Sequence, residues 1–151
     1  MQKNMCAIIN KFNKEEIFLL YDYLVAYEES GIGRYSTTKS LLKDHPELKG
    51  LETEVKSVVF HSAKPYEMKD MDFKLMENEI YITKCSGNLM LSFLAHLRNS
   101  IGHGNAVKHQ DKVLITDFAH PRYNPIDFTA RGCIYFNVIK NLTKVLKEIV
   151  L

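Results

Sequence analysis

Apolar positions recur every three or four residues through most of this chain, and the helices they predict dominate its first two thirds. Asn13-Lys14-Glu15-Glu16 has the form of a capping box, and Ile17, Leu20, Tyr21 and Leu24 follow on one face. The run Ser30-Gly31-Ile32-Gly33 stops that helix. Ser36 opens a short second one through Leu41 and Leu42, which must end near His45 because Pro46 follows. Leu48, Leu51, Val55, Val58 and Val59 form the stripe of a third, running to about residue 63 and ended by Lys64-Pro65.

Residues 66 to 84 carry two signals. Met68, Met71, Leu75 and Met76 favour a helical turn or two, whereas Glu79-Ile80-Tyr81-Ile82-Thr83 alternates like a short strand. Ser86 then caps a strongly apolar helix with Leu89, Phe93, Leu97 and Ile101 in its stripe. Gly102 and Gly104 bracket its end, a left-handed glycine being a common stop. Residues 112–118 and 127–132 read as two strands, with His120-Pro121-Arg122-Tyr123-Asn124-Pro125 as turn material between them. Ile134, Val138, Leu142, Val145 and Ile149 make the buried face of a last helix, with Lys140, Lys144 and Lys147 on a solvated one. The expected fold is mostly α: one domain over residues 1–151, a compact helical bundle with a small β-hairpin insertion at about 112–132.

The 151 residues are 46% hydrophobic and 25% charged, which suits a globular core rather than a disordered chain. Net charge is +2, so affinity for nucleic acid must come from a local patch rather than a global field. Cys6, Cys85 and Cys133 are odd in number, far apart and without a Cys-x-x-Cys pair, which reads as thiols in a reducing compartment. No apolar leader and no run of eighteen apolar residues is seen, so a cytoplasmic location off the membrane is expected.

The most informative stretch is Leu97-Arg98-Asn99-Ser100-Ile101-Gly102-His103-Gly104, at the end of the apolar helix. Arg offers phosphate a permanently charged fork, and His moves protons near neutral pH. With four Arg and six His, chance gives about 0.16 matches to Arg-x4-His, and Asn directly after the Arg lowers that to about 0.01. Arg98, Asn99 and His103 are therefore the candidate catalytic residues.

An apolar helix ending in Arg98-Asn99-Ser100-Ile101-Gly102-His103 resembles the signature of the HEPN superfamily: Arg, a polar residue, then His after four to six intervening positions. The specific match covers about residues 86–104, and the last helix and the hairpin before it are also similar to members of that group. The resemblance implies a metal-independent, cofactor-free endoribonuclease, a hydrolase of the toxin–antitoxin or antiviral defence kind, working as a homodimer with the motif at the interface. Implied partners are an RNA substrate, a second copy of the chain, and an antitoxin or nucleotidyltransferase. Because Arg98 and His103 are both present, the chain resembles the active members. The alternative is a catalytically silent HEPN-like module that binds a partner protein or nucleotide.

Cleavage by attack of the ribose 2′-OH, leaving a 2′,3′-cyclic phosphate, needs a proton acceptor, a proton donor and positive charge on the phosphorane. His103 is the acid–base candidate, Arg98 the electrostatic one, and Asn99 an orienting amide. One such His faces two proton transfers, which a two-fold dimer would answer by pairing two motifs. Positions 98 and 103 stand about 140° apart on an ideal helix. Either the helix ends at Gly102 and redirects His103, or Arg98 serves the opposite subunit.

Lys108, His109, Arg122 and Arg131, on or near the hairpin, are candidate contacts to RNA backbone, and a solvated loop accounts for them equally well. His103, His109, His120 and Cys133 match no usual zinc spacing, so no metal is expected. His96, one heptad before His103, reads as a partly buried structural histidine.

Overall fold

A computed structural model describes residues 12–83, 88–119 and 128–148. The helices are α1 (Lys14–Ser30), α2 (Thr38–Asp44), α3 (Lys49–Val55), α4 (Pro65–Met68), α5 (Leu89–Gly102) and α6 (Phe136–Leu146). The strands are β1 (Val59–Ser62), β2 (Glu79–Ile82), β3 (Val107–His109), β4 (Lys112–Phe118) and β5 (Phe128–Tyr135). They form one mixed sheet in the order β1-β2-β5-β4-β3, with β1 parallel to β2 and every other pair antiparallel. This α/β arrangement overturns the expected mostly α bundle with an appended hairpin. The predicted hairpin is present as β4 and β5, with Ile115 opposite Gly132, but it is the middle of the sheet rather than an insertion. Its turn, and the expected Ser86 cap, lie outside the described residues.

The error arose at residues 56–62. The third helix stops at Val55, and Val58 and Val59, which continue its helical spacing, begin the approach to a strand instead. Spacing of three and four is ambiguous over so few residues, and a partner strand decides it. Asn78 supplies the pin. In a left-handed conformation at φ 55°, it donates from Nδ2 to Ser57 O (2.9 Å), and its carbonyl accepts from Val59 N–H (2.9 Å). Its Oδ1 also accepts from Tyr135 N–H, so one residue, through backbone and side chain, gathers β1, β2 and the end of β5.

Period-two alternation gives the sheet two buried faces. Ile80, Ile82, Val113, Ile115, Ala130 and Ile134 join the helical core. There α1 packs on α5 and α6, α3 packs on α6, and α5 lies along β4. Tyr81, Leu114 and Phe118 point the other way and meet Met68, Phe73 and Phe128 under the chain between β1 and β2. Two cations from the sheet hold that cover in place. Lys112 Nζ donates to the carbonyls of Lys74 and Met76, and Arg131 Nη1 to those of Met68 and Lys69.

Helix termini follow the sequence closely. Asn13 and Glu16 form the reciprocal capping box, each backbone N–H bonding the other's side chain at 2.9 Å. Gly31 ends α1 in the left-handed region, and α2 stops at His45 before Pro46. The second helix takes Thr37 rather than Ser36 as its cap, and α5 takes Asn88. The last helix starts at Phe136, so Ile134 belongs to β5. No helix among the described residues is long and apolar enough to cross a membrane.

Gly132 marks the tightest strand contact. A Cβ there would lie 2.3 Å from Glu79 O and 2.7 Å from Ile80 Cα, both backbone atoms that cannot step aside. Gly132→Ala is expected to destabilise the fold by about 1–3 kcal/mol through overpacking. Thermal unfolding followed by circular dichroism reads this as a lower Tm; an unchanged Tm contradicts the close approach.

Candidate functional site

The motif occupies the last two turns of α5, whose apolar stripe of Met90, Phe93, Leu94 and Leu97 is buried against the core. Two hydrogen bonds seat this helix. Tyr23 Oη donates to Leu94 O (2.8 Å), and Thr116 N–H donates to the fully buried Ser100 Oγ (3.0 Å). The second has a clear origin. β3 pairs only with Lys112, Val113 and Leu114, so beyond it the edge of β4 needs another acceptor, and Ser100 provides one.

The helix closes in a Schellman motif: Gly104 N–H bonds Ile101 O, and Asn105 N–H bonds Ser100 O (2.8 Å), with Gly104 at φ 72°. His103 is the C-cap, and its N–H still reaches Asn99 O at 2.9 Å. The chain therefore turns at Gly104, after His103, and Gly102 does not redirect the imidazole. The His103 ring is exposed and makes no hydrogen bond or ion pair among the described residues.

Arg98 is held between two elements. Its Nε donates to Glu28 Oε1 of α1 at 2.7 Å, and its Nη1 to Asn99 Oδ1 at 3.3 Å. Asn99 in turn donates from Nδ2 to Asp117 Oδ2 (3.1 Å). Arg only donates and carboxylate only accepts, so the Asn99 amide has one orientation that serves both. His96 Nδ1 lies 2.8 Å from the same Asp117 oxygen, and Phe118 N–H donates to the other oxygen at 2.9 Å. A continuous polar chain, His96–Asp117–Asn99–Arg98–Glu28, thus runs from β4 across α5 to α1.

Asp117 is the anchor, with a side chain only 4% exposed. Burial by itself raises a carboxyl pKa, but the hydrogen bonds from His96, Asn99 and Phe118 and the charge of His96 overcome it and hold Asp117 below the ordinary carboxylate range. The group is ionised at neutral pH. His96, expected to be merely structural, belongs to this cluster, and Asp117 and Glu28 were missed. The signal for Asp117 was available: Val113, Ile115 and Asp117 alternate on the inward face of one strand, and a carboxylate at an inward position must find partners.

The described residues among those expected to contact RNA are not gathered at this site. Lys108 pairs with Glu16 at 2.8 Å, and His109 stands on the short strand β3. Arg131 lies on the other side of the sheet, its guanidinium over Phe73 and Phe128 while it bonds two carbonyls. Arg122 and His120 fall outside the described residues. Cys133 is buried, and burial pushes its thiol up to about 11, so it is unreactive at neutral pH. Among the described residues, no three His, Cys, Asp or Glu side chains group as metal ligands.

Beside the motif, α1 exposes Ile17, Phe18 (75% exposed), Tyr21 (63%) and Val25. An apolar cleft of about 190 Å³ joins Ile17, Leu20, Tyr21 and Leu24 to Ile101, Gly102 and Gly104. The residues flanking His103 thus border the exposed face of α1.

Asp117→Asn removes the charge and one acceptor oxygen, so the amide cannot accept from His96, Asn99 and the Phe118 N–H together. A loss of about 1.5–3 kcal/mol at pH 7 is expected for removing charged hydrogen bonds. The folded carboxyl is depressed, so its contribution is complete above the unfolded value near 3.9 and fades as pH falls through the folded one. Urea unfolding at pH 7 and pH 3 should show the variant's deficit shrinking in acid; a constant deficit refutes the ionised anchor. Comparison with protein-family models, with curated proteins and with solved structures gave no match to this chain.

Proposed function

We propose that this protein is a metal-independent endoribonuclease of the HEPN-like kind, cleaving RNA to a 2′,3′-cyclic phosphate as a homodimer. The observation that carries the reading is the anchoring of Arg98, through Asn99, to the buried Asp117 on the same helix whose end exposes His103. A guanidinium tethered through Asn99 stabilises phosphorane charge once Glu28 has given way. His103 supplies a proton-transfer group at the open end of the same helix.

Glu28 favours the silent-module alternative, because its carboxylate already occupies Arg98 Nε. The pair is weak, however. Both side chains are exposed, and such pairs are worth about 0.2–1 kcal/mol. A phosphodiester that offers bidentate contacts displaces Glu28 at small cost. The exposed row on α1 supports the dimer, since a contiguous apolar face of this kind is uncommon on a monomer. The isologous pairing of two α1 faces would bring both motif ends to one interface. We assign the activity to the cytoplasm, where RNA is at hand and Cys133 stays reduced, and to a defence or toxin role.

Cleavage of a labelled RNA in buffer containing a chelator tests the activity. Arg98→Ala should lower kcat/KM about 10²–10³-fold, as loss of a single oxyanion donor does, and His103→Ala should abolish cleavage. Equal activity in all three proteins overturns the assignment. The doubly substituted Phe18→Glu, Tyr21→Glu protein should sediment as a monomer. A wild type that sediments as a monomer at micromolar concentration removes the dimer.

A further inference from the structure

His96 has the geometry of a working group rather than a filler. Its Nδ1 is engaged by Asp117, while Nε2 makes no hydrogen bond among the described residues and the side chain is 20% exposed. Because ionised Asp117 only accepts, Nδ1 must carry the proton, and in the neutral ring Nε2 is the accepting nitrogen. A carboxylate that orients an imidazole through Nδ1 and leaves Nε2 to take a proton is the arrangement of a general base.

Position on α5 adds the second argument. His96, Asn99 and His103 are spaced by three and four residues and share one face. Over seven residues the two histidines diverge by only about 20° and stand about 10.5 Å apart along the axis. In-line displacement places the attacking and leaving oxygens on opposite sides of phosphorus, so base and acid must be separated. A hydrogen bond of about 3 Å at each end fills much of that span. Between them lies Asn99, whose Oδ1 accepts from Arg98 Nη1.

We propose that His96 is a second catalytic residue of the same subunit, with Asp117 as its positioning residue, which deepens the ribonuclease reading and rests on it. The Nε2 of His96 takes the 2′-hydroxyl proton as the 2′-oxygen bonds to phosphorus. The bond from phosphorus to the 5′-oxygen breaks, and His103 gives that oxygen its proton. Two imidazoles exchange roles, and water restores both. The groups facing His96 are Asp117 from β4 and Asn99 and His103 along α5, with Arg98 and Glu28 beyond Asn99. One chain then carries both proton transfers, and no partner imidazole is required for the second.

The test compares the full-length wild type with H96N, D117N and H103A on a short RNA and on uridine 3′-(4-nitrophenyl phosphate), whose leaving group departs without an acid. H96N keeps an amide donor toward Asp117, and circular dichroism verifies its fold; H96Q replaces it if it unfolds. Loss of a general base should cost about 10²–10⁴-fold on both substrates. The acidic limb of kcat/KM should vanish in H96N, with the rate rising with hydroxide. D117N should keep the limb at a lower plateau, and H103A should recover on the activated ester. A wild-type limb in H96N, whatever its rate, overturns the role of His96 and leaves the ribonuclease reading intact. A wild type inactive on both substrates overturns the ribonuclease reading itself.

Discussion

A buried carboxylate on the fourth strand is the constraint around which this protein is organised. Placing Asp117 in the inward row of β4 would cost several kcal/mol if the charge were left alone. Three donors remove that cost, and two of them, His96 and Asn99, come from one helix. The carboxylate therefore dictates how α5 is turned about its axis on the sheet. It also dictates what the helix presents outward, because Asn99 hands the constraint on to Arg98.

The two faces of the sheet use charge differently. Toward the helices, one anion collects polar side chains into a chain that reaches the surface. Toward the cover between β1 and β2, two cations, Lys112 and Arg131, bind backbone carbonyls left over at the ends of short helical turns. A cation at a helix C-terminus is favoured by the aligned carbonyl dipoles. The second arrangement is structural. It explains why Arg131 is remote from the motif although only 33 residues separate it from Arg98.

Legibility in the sequence followed the range of the interactions. Caps and stops were readable because they are made between residues three to six apart: the Asn13–Glu16 box, Gly31, Pro46 and the glycine after His103. The β4–β5 pairing was readable because its alternation spans seven or eight residues. Strand β1 has four residues, and four residues do not separate a strand from a turn of helix. Its identity came from Asn78 and from β2, whose alternation the sequence does show, across twenty residues of chain. The site behaved in the same way. Arg98, Asn99 and His103 form a local word on one helix, whereas Asp117 and Glu28 enter from β4 and α1, 18 and 70 residues distant from their partners.

By itself, then, the chain determined where its first two helices begin and stop and where α5 ends, since those depend on local backbone hydrogen bonds and on side-chain type. Only the tertiary structure decided that the molecule is built on a five-stranded sheet, that Arg131 faces away from the motif and that His96 shares a carboxylate with Asn99. The reason is physical. A strand satisfies its backbone groups with a distant neighbour, and a buried charge takes its partners from wherever the packing brings them.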